Sequence, residues 1–215
     1  MKTHLDAIVH LLHEASYATL ATQATQLTGY PYATALPCVV DETHCPLFCV
    51  SALAEHTKNL LADPHVSLSV VKPESANVQT APRVTVLGKA ERFVPSPEGL
   101  ARYLRYQPDA RRYLELDFMF FRLKPERLRY IGGIGQMGWL DAAAWDTLPV
   151  LALRQEAQLL KAATPQTQRD VCLRGIDLFG VDYEANGIGE RRRFAQMPSL
   201  ASLPDSLADI LATGH

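Results

Sequence analysis

Four residues in the first third of the chain have the side chains of an anion-binding site. Ser51, His56, Thr57 and Lys58 lie where a predicted strand gives way to a predicted helix. At such a junction free backbone N–H groups, hydroxyls and one ammonium group can converge on a phosphate. The same residues also fit a structural role, in which Ser51 only caps the helix and Lys58 is solvated. Both interpretations stay open on the sequence alone.

Other cationic and histidine residues give weaker signals. Arg83 lies in an apolar strand pattern, so its guanidinium must either reach a ligand or occupy a sheet edge. His10 and His13 have a spacing that permits a shared metal ion, but no third ligand with suitable spacing follows them. We therefore expect surface histidines and no metal site. The arginine run 191–193 is expected to be a solvated strand edge.

A glycine-rich segment, Gly133–Gly138, matches the dinucleotide-binding fingerprint letter for letter. That fingerprint must open a helix early in a βαβ unit, whereas several antiparallel-looking strands precede it here. A tight loop at a strand end is the favoured interpretation. The four cysteines have no CxxC spacing and no disulfide framework, so we expect neither zinc nor redox chemistry from them and infer a reducing setting.

The composition excludes several classes of protein. The 215 residues are 47% hydrophobic and 20% charged, which is typical of a soluble globular protein. Lys and Arg total 21 against 23 Asp and Glu, so no basic nucleic-acid surface is expected. No apolar run approaches the roughly 20 residues that span a bilayer, and the polar N-terminal segment does not resemble a signal peptide. We therefore expect a cytoplasmic protein without nucleic-acid or membrane partners.

The periodicity of apolar residues predicts the elements that position these side chains. Helical patterns cover residues 4–15, Leu53–Ala62, Pro97–Arg105 and Asp109–Leu116. Strand patterns cover Tyr17–Thr22, Tyr32–Val40, Pro46–Ser51, Val66–Val70, Arg83–Phe93, Phe118–Leu123 and Leu128–Ile131, with a bulge or bend at Gly88. Six or seven strands in this span need closure or a second sheet to hide their edges.

The pattern changes near residue 148. A helix is predicted over Leu148–Ala163, followed by a strand, turn and strand over Val171–Tyr183, a loop at Asn186-Gly187 and a helix over Leu203–Leu211. We therefore place a domain boundary there, with a domain at residues 1–148 and a small α/β module at residues 149–215.

Several separate stretches of this sequence resemble the FMN-binding split-barrel superfamily typified by pyridoxamine 5'-phosphate oxidase, and within it the haem-utilisation, haem-degrading branch. The resemblance runs from about Tyr17 to Leu140, and the tail at Arg174–Val181 looks like a small C-terminal domain of some such proteins. It rests on YATLAT (17–22), GYPYAT (29–34), SALAEHTKNL (51–60), DPHVSL (63–68), RVTVLGKA (83–90), YLELDF (113–118) and YIGGIG (130–135).

The resemblance implies a fold and an assembly. The fold would be α+β, an antiparallel six-stranded split β-barrel with flanking helices plus the small C-terminal α/β module. Members of the superfamily are dimers with the cofactor at the interface of two barrels, so a homodimer with two cofactor sites is expected.

The resemblance also implies a cofactor site. Thr34, Ala35, Leu36 and Pro37 would lie along the flavin of FMN, and Cys49, Val50 and Ser51 beneath it. His56, Thr57 and Lys58 would lie near the phosphate, and Arg83 would approach the ring or the phosphate. A flavin needs a flat apolar slot, backbone donors and a cationic or hydroxyl-lined phosphate pocket. The expected function is therefore an FMN-dependent oxidoreductase acting on an unidentified small substrate.

Two alternatives remain beside the flavin hypothesis. Thr34 and Val39 replace strongly basic residues that the oxidases have on their second strand, so oxidation of pyridoxamine phosphate itself is not expected. A haem-binding or haem-degrading protein would need an axial ligand, for which His215 is available, with Asp117 as a possible partner that sets its tautomer. The second alternative is a dimeric binding module without a cofactor.

Overall fold

The computed structural model describes residues 2–73, 75–133, 135–164 and 171–212. Among these residues no helix is long and apolar enough to cross a membrane. A 3₁₀ helix lies at Pro108–Tyr113. The α-helices are α1 (Lys2–Glu14), α2 (Glu55–Ala62), α3 (Pro97–Tyr106), α4 (Ala142–Trp145), α5 (Leu153–Ala163) and α6 (Leu203–Ala212).

The strands form two sheets, and all their pairings are antiparallel. The larger sheet contains β1 (Tyr17–Gln23), β2 (Pro31–Pro37), β3 (Val39–Val40), β4 (Pro46–Ser51), β5 (His65–Val71), β6 (Arg83–Phe93), β7 (Phe118–Gly133) and β8 (Gln136–Asp141). The smaller sheet contains β9 (Val171–Ile176), β10 (Gly180–Ala185) and β11 (Ile188–Arg193).

The larger sheet closes on itself because its two end strands are consecutive in the chain. Its strands follow the order β2-β1-β5-β6-β7-β4-β3, with β8 added to β7. Only Cys38 separates β2 from β3, so the two ends of this order must meet. Counted as one, β2 and β3 complete a barrel of six strands. This confirms the predicted α+β fold with an antiparallel six-stranded split barrel.

Helix α1 contributes one face to the barrel core, as its apolar periodicity predicts. Leu5, Ile8, Val9 and Leu12 are buried in one cluster with inward-facing strand residues such as Phe48. The helix approaches strands β3, β5, β6 and β7 of the barrel and also β11 of the smaller sheet. It therefore packs against both parts of the protein.

Two predicted elements differ in number or type, and the helix predicted over Leu148–Ala163 begins only at Leu153. Residues 118–131 form one strand rather than two, and Pro125 in its middle pairs with Gly88 where the β6–β7 register shifts. The missing proline N–H therefore falls at a bulge, where the regular ladder is interrupted. A Cβ at Gly88 would collide with the carbonyl oxygen of Lys124, so the predicted bulge requires glycine. The helix predicted over Asp109–Leu116 is instead the 3₁₀ helix.

The C-terminal residues pack around a hydrophobic cluster of their own. Leu160 of α5, Val181 of β10 and Leu207 of α6 are buried together, while Phe179 joins the barrel cluster. The loop predicted at Asn186-Gly187 connects β10 to β11, with both residues at positive φ. The domain boundary at residue 148 stays a prediction.

A buried ion cluster joins the barrel to this C-terminal part. Glu156 of α5 has only 2% of its side chain exposed and accepts hydrogen bonds from Arg102 and Arg105 of α3. Its Oε1 also accepts the backbone N–H of Ile176, which ends β9. One carboxylate therefore fixes α3, α5 and β9 relative to one another.

Replacing Glu156 with glutamine is expected to destabilise the protein by about 3–5 kcal/mol, because two arginines would lose the buried negative charge that compensates them. The matched control is Glu98→Gln, which removes an exposed pair with Arg154 and should cost less than about 1 kcal/mol. Urea denaturation of both variants checks this. Equal losses in the two variants would contradict it.

Candidate functional site

The junction between β4 and α2 is built differently from the sequence prediction. Helix α2 begins at Glu55 rather than Leu53, its N-cap is Ala54, and no side chain caps it. Leu53 lies outside the helix and is 80% exposed. Ser51 is therefore not the helix cap; its hydroxyl accepts the N–H of Leu53 at 3.2 Å. The first N–H groups of α2 thus remain without a side-chain acceptor among the described residues.

His56 and Glu55 are the polar residues of this junction that have an unpartnered buried side-chain atom in the described part of the chain, Nε2 of His56 and Oε1 of Glu55. The His56 side chain is half-buried, and its Nε2 is buried without a hydrogen-bond partner in the part of the chain that the structure describes. Burial lowers the pKa of His56 below its ordinary value, so the ring is neutral at neutral pH. A neutral imidazole nitrogen in this state can bind a metal centre or accept a hydrogen bond from a ligand.

The two residues after His56 have different environments. Thr57 is fully buried, and its hydroxyl donates to the carbonyl oxygen of Ser51 at 2.6 Å, so it fixes the start of α2 on the end of β4. The Lys58 side chain is about half exposed, with its Nζ 3.6 Å from Glu55 Oε2. Lys58 is therefore a solvated cation beside the helix start, free to turn towards an anion.

The strand register brings the predicted β2 residues level with the end of β4. Val39 pairs with Leu47 and Val40 with Pro46; continuing this register sets Leu36 level with Val50 and Ala35 level with Ser51. Leu36 and Val50 are buried, whereas Ala35 and Pro37 are exposed. Thr34 is half-buried, and its hydroxyl reaches only the adjacent carbonyl oxygen of Ala35, at 3.4 Å. We call the β2 segment 34–37, the end of β4 and the start of α2 the β4–α2 groove.

Cys49, which the resemblance places beneath the flavin, is a neutral side chain in this fold. Burial raises the pKa of its thiol to about 11, and its backbone N–H donates to the Tyr103 hydroxyl at 3.2 Å. Tyr103 belongs to α3 on the far side of β4, where it lines a cleft with Val39 and Arg102. None of the eleven predicted cofactor residues lines that cleft.

Arg83 lies apart from the β4–α2 groove within one protomer. It pairs with Ile131 of β7, while Ser51 pairs with Phe118 at the opposite end of the same strand. Its Nη1 donates to the carbonyl oxygens of Val78, Gln79 and Ala81, at 2.8–3.2 Å. The guanidinium therefore holds the β5–β6 connection, and its role towards a cofactor stays a prediction.

The haem alternative rests on residues that the structure describes only in part. His215 lies outside the described residues. The carbonyl oxygen of Asp117 accepts the backbone N–H of Ala52 at 2.7 Å, which ties the start of β7 to the residue after β4. Asp117 therefore borders the β4–α2 groove through its backbone.

We expected His10, His13 and the arginines at 191–193 to lie at the surface. This expectation is wrong for His10, His13 and Arg191. His10 is buried, and the side chains of His13 and Arg191 are 1% and 0% exposed. The reason is that α1 packs on β11 and covers what would otherwise be a solvated sheet edge. His13 follows the buried Val9 by four residues, so its place on the buried stripe of α1 was visible in the sequence.

Comparison with known proteins places this geometry in context. The family model for pyridoxamine 5'-phosphate oxidase matches residues 5–132. The protein "Non-canonical heme oxygenase HOZ, chloroplastic" of Arabidopsis thaliana is 32% identical over 133 residues, which are 60% of this chain and 40% of that protein. The chain thus spans less than half the length of this curated relative.

Solved structures share the fold over nearly the whole chain. The protein Atu2129 from Agrobacterium tumefaciens, of unknown function, is 25% identical with a TM-score of 0.75, covering 95% of this chain and 94% of that one. A heme-binding protein from Mycobacterium smegmatis is 24% identical with a TM-score of 0.62, covering 97% and 96%. At that identity the second similarity shows the fold alone.

The environment of His10 predicts a pH dependence of stability. Burial and then the charges of Arg191 and Arg193 lower the pKa of His10 to about 3. In the unfolded state His10 binds a proton below about pH 6.5, whereas in the folded state it does so only near pH 3. The free energy of unfolding therefore falls as the pH drops from about 6.5 towards 3. Over most of that window the loss from His10 is about 1.4 kcal/mol per pH unit.

The measurement is the unfolding free energy of the wild type and His10→Asn at several pH values between 4 and 7. Asparagine offers an oxygen to Arg191, whose Nε donates to His10 Nδ1 at 2.9 Å, but does not titrate. We expect a shallower pH slope in the variant, and no such change in a control His65→Asn at an exposed site. Parallel pH profiles would refute the assignment.

Proposed function

The chain belongs to the pyridoxamine 5'-phosphate oxidase family, and we propose that within it this protein binds haem in the β4–α2 groove. The 32% identity to a haem oxygenase supports this proposal. So does the replacement by Thr34 and Val39 of the strongly basic residues that the oxidases have on their second strand, which weakens the case for tight FMN binding. Oxidative opening of haem is part of the same proposal, because the curated relative is named for that activity.

The observation that carries the proposal is the free buried Nε2 of His56. Haem iron takes a neutral imidazole nitrogen as its axial ligand, and burial keeps this ring neutral. Haem also needs apolar surface for its ring and donors for its two propionates. Leu53 and Pro37 are exposed apolar residues of the groove, and Lys58 with the uncapped N–H groups of α2 supplies the donors.

The residues of the groove therefore have separate roles in this proposal. His56 binds the iron, Lys58 attracts a propionate, and Thr57 holds the start of α2 in place through its bond to Ser51. Bound haem would supply the iron-centred redox chemistry. The protein contributes position and the exclusion of water from the iron.

The test is a titration of the full-length protein with hemin, followed through the Soret band. The wild type is expected to bind, and His56→Ala should shift the Soret band and weaken binding at least about tenfold, a loss of roughly 1.4 kcal/mol. His65→Ala is the matched control, because His65 is exposed and hydrogen-bonded to Asp63. An unchanged spectrum in His56→Ala would exclude this residue as the ligand.

FMN is the second candidate, supported by the uncapped start of α2 with Thr57 and Lys58 beside it. Its ring would lie along Thr34–Pro37 and Val50, and its phosphate would lie at His56–Lys58. Because Arg83 is distant from these residues within one protomer, it would approach the cofactor from the other protomer of a dimer. The same protein titrated with FMN separates the two candidates. Flavin binding without a Soret band, weakened in a His56→Ala/Lys58→Ala double variant, would favour FMN over haem.

We further propose that the protein is a cytoplasmic homodimer whose interface includes the outward face of β1 and β2. The register of these strands points Tyr17 and Pro37, Thr19 and Ala35 to the same side. Tyr17 is 68% exposed, and Ala33, Ala35 and Pro37 are exposed as well. A flat, largely apolar face of small residues suits close packing against a second copy.

Ala35→Glu places a charge on this face and is expected to convert the dimer to a monomer, because each copy would bury an unpaired charge in the interface. Sedimentation velocity measures the change as a halving of the mass. The control Ala201→Glu alters an exposed alanine far along the chain, before α6, and should leave the mass unchanged. A wild type that sediments as a monomer would contradict the proposal directly.

A further inference from the structure

Three ligating side chains meet where the N-terminal helix, the barrel and the C-terminal sheet come together. His13 comes from α1, His44 from the β3–β4 turn and Asp177 from the turn between β9 and β10. One ligand atom from each lies within 4.8 Å of the other two. Their side chains are almost inaccessible, with 1% of His13, 1% of His44 and 8% of Asp177 exposed.

The hydrogen bonds on the far side of each ring decide which nitrogens carry protons. His13 Nδ1 lies 2.7 Å from Asp182 Oδ2 and His44 Nε2 lies 3.3 Å from the carbonyl oxygen of Pro149. Both partners are acceptors, so these two nitrogens are the donors. The remaining nitrogens, His13 Nε2 and His44 Nδ1, face each other at 3.3 Å. In neutral rings with these tautomers both present lone pairs, and the contact becomes favourable when a metal ion or a proton lies between them.

Asp177 adds a third lone pair and a negative charge. Its Oδ2 lies 3.3 Å from His13 Nε2, while its Oδ1 accepts the two backbone N–H groups of the following turn. Arg191 donates to both Asp177 and Asp182. These three side chains alone sum to one negative charge in a buried setting, which the nearby Arg102 offsets only through space and which a bound cation would balance.

The spacing of the ligand atoms suits a tetrahedral metal ion. Zn–N bonds are about 2.0–2.1 Å long, so neighbouring ligand atoms of a tetrahedron lie about 3.3 Å apart. His13 Nε2 has this separation from both His44 Nδ1 and Asp177 Oδ2. Its other nitrogen donates to a carboxylate, as in most zinc-bound histidines. We propose that His13, His44 and Asp177 bind a divalent metal ion of the zinc class, with water in the fourth position.

The position of this site gives the metal a structural role. Its ligands are buried and come from three separate segments of the chain, so the metal would join α1 and the C-terminal sheet to the barrel. His44 has a φ of 62°, which a residue other than glycine or asparagine adopts at a cost. Coordination would offset that cost. The site is separate from the β4–α2 groove, and its presence does not depend on the proposed haem binding.

The first experiment uses the full-length protein expressed in zinc-supplemented medium, with any affinity tag removed. Elemental analysis is expected to find about one zinc per chain. Protein produced with Co²⁺ in place of zinc should show the intense visible absorption bands of tetrahedral cobalt. His44→Ala and Asp177→Asn should each lose zinc and these bands. Asp182→Asn, which removes the charged partner that His13 shares with Arg191 and Tyr106, should weaken metal affinity about 10–100-fold.

The control is His65→Ala, which alters an exposed histidine and should retain zinc at the wild-type level. Wild-type protein that is folded by circular dichroism yet contains neither zinc nor tetrahedral cobalt would overturn the proposal, and a proton on His13 would then fill the gap between the rings. Full zinc content in folded His44→Ala would overturn it as well. Hemin titration of the same samples keeps this result distinct from that for the groove.

Discussion

The connection at Cys38 is the constraint on which the rest of the architecture depends. One extended segment pairs with β1 through β2 and with β4 through β3, so opposite ends of the sheet are joined by a single residue. A sheet with this pairing must curl into a barrel. The same closure sets the residues of β2 level with the end of β4, which is why Ala35, Ser51 and the start of α2 border one groove.

Buried charge, rather than apolar burial alone, holds the C-terminal part on this barrel. Glu156 links α3 to α5, and Arg191 links β11 to the turn of Asp177 and to His10 of α1. Although burial alone would raise it, the Arg191 guanidinium lowers the pKa of Asp177 below its ordinary value. Networks of this kind contribute little net stability over an apolar core but penalise any other arrangement of the same elements. They therefore determine how α1 and the small sheet are placed on the barrel.

Local patterns in the sequence predict the strands well and the tertiary contacts poorly. Strand β6 is confirmed at Arg83–Phe93, and the bulge at Gly88 follows from its glycine. Strand β7 was predicted as two strands because Pro125 interrupts its pattern. The irregularity that accommodates this proline lies opposite Gly88, nearly forty residues earlier in the chain. The burial of Arg191 was missed for a similar reason, since the helix that covers it is α1 at the other end of the chain. Which polar residues are buried is decided by such distant partners.

The β4–α2 groove and the cluster of His13, His44 and Asp177 contain different unsatisfied groups, and this difference argues for different ligands. At the β4–α2 groove the unsatisfied atoms are the neutral Nε2 of His56 and a carboxylate oxygen of Glu55, beside exposed apolar surface and the solvated cation of Lys58. That arrangement suits a flat ring with a metal at its centre better than a ligand whose binding depends on a doubly charged phosphate. At His13 and His44 the deficit is positive charge between two facing lone pairs, with no room for an organic group. A small metal ion fits that arrangement and haem does not, which supports the proposal of a separate ion at this cluster.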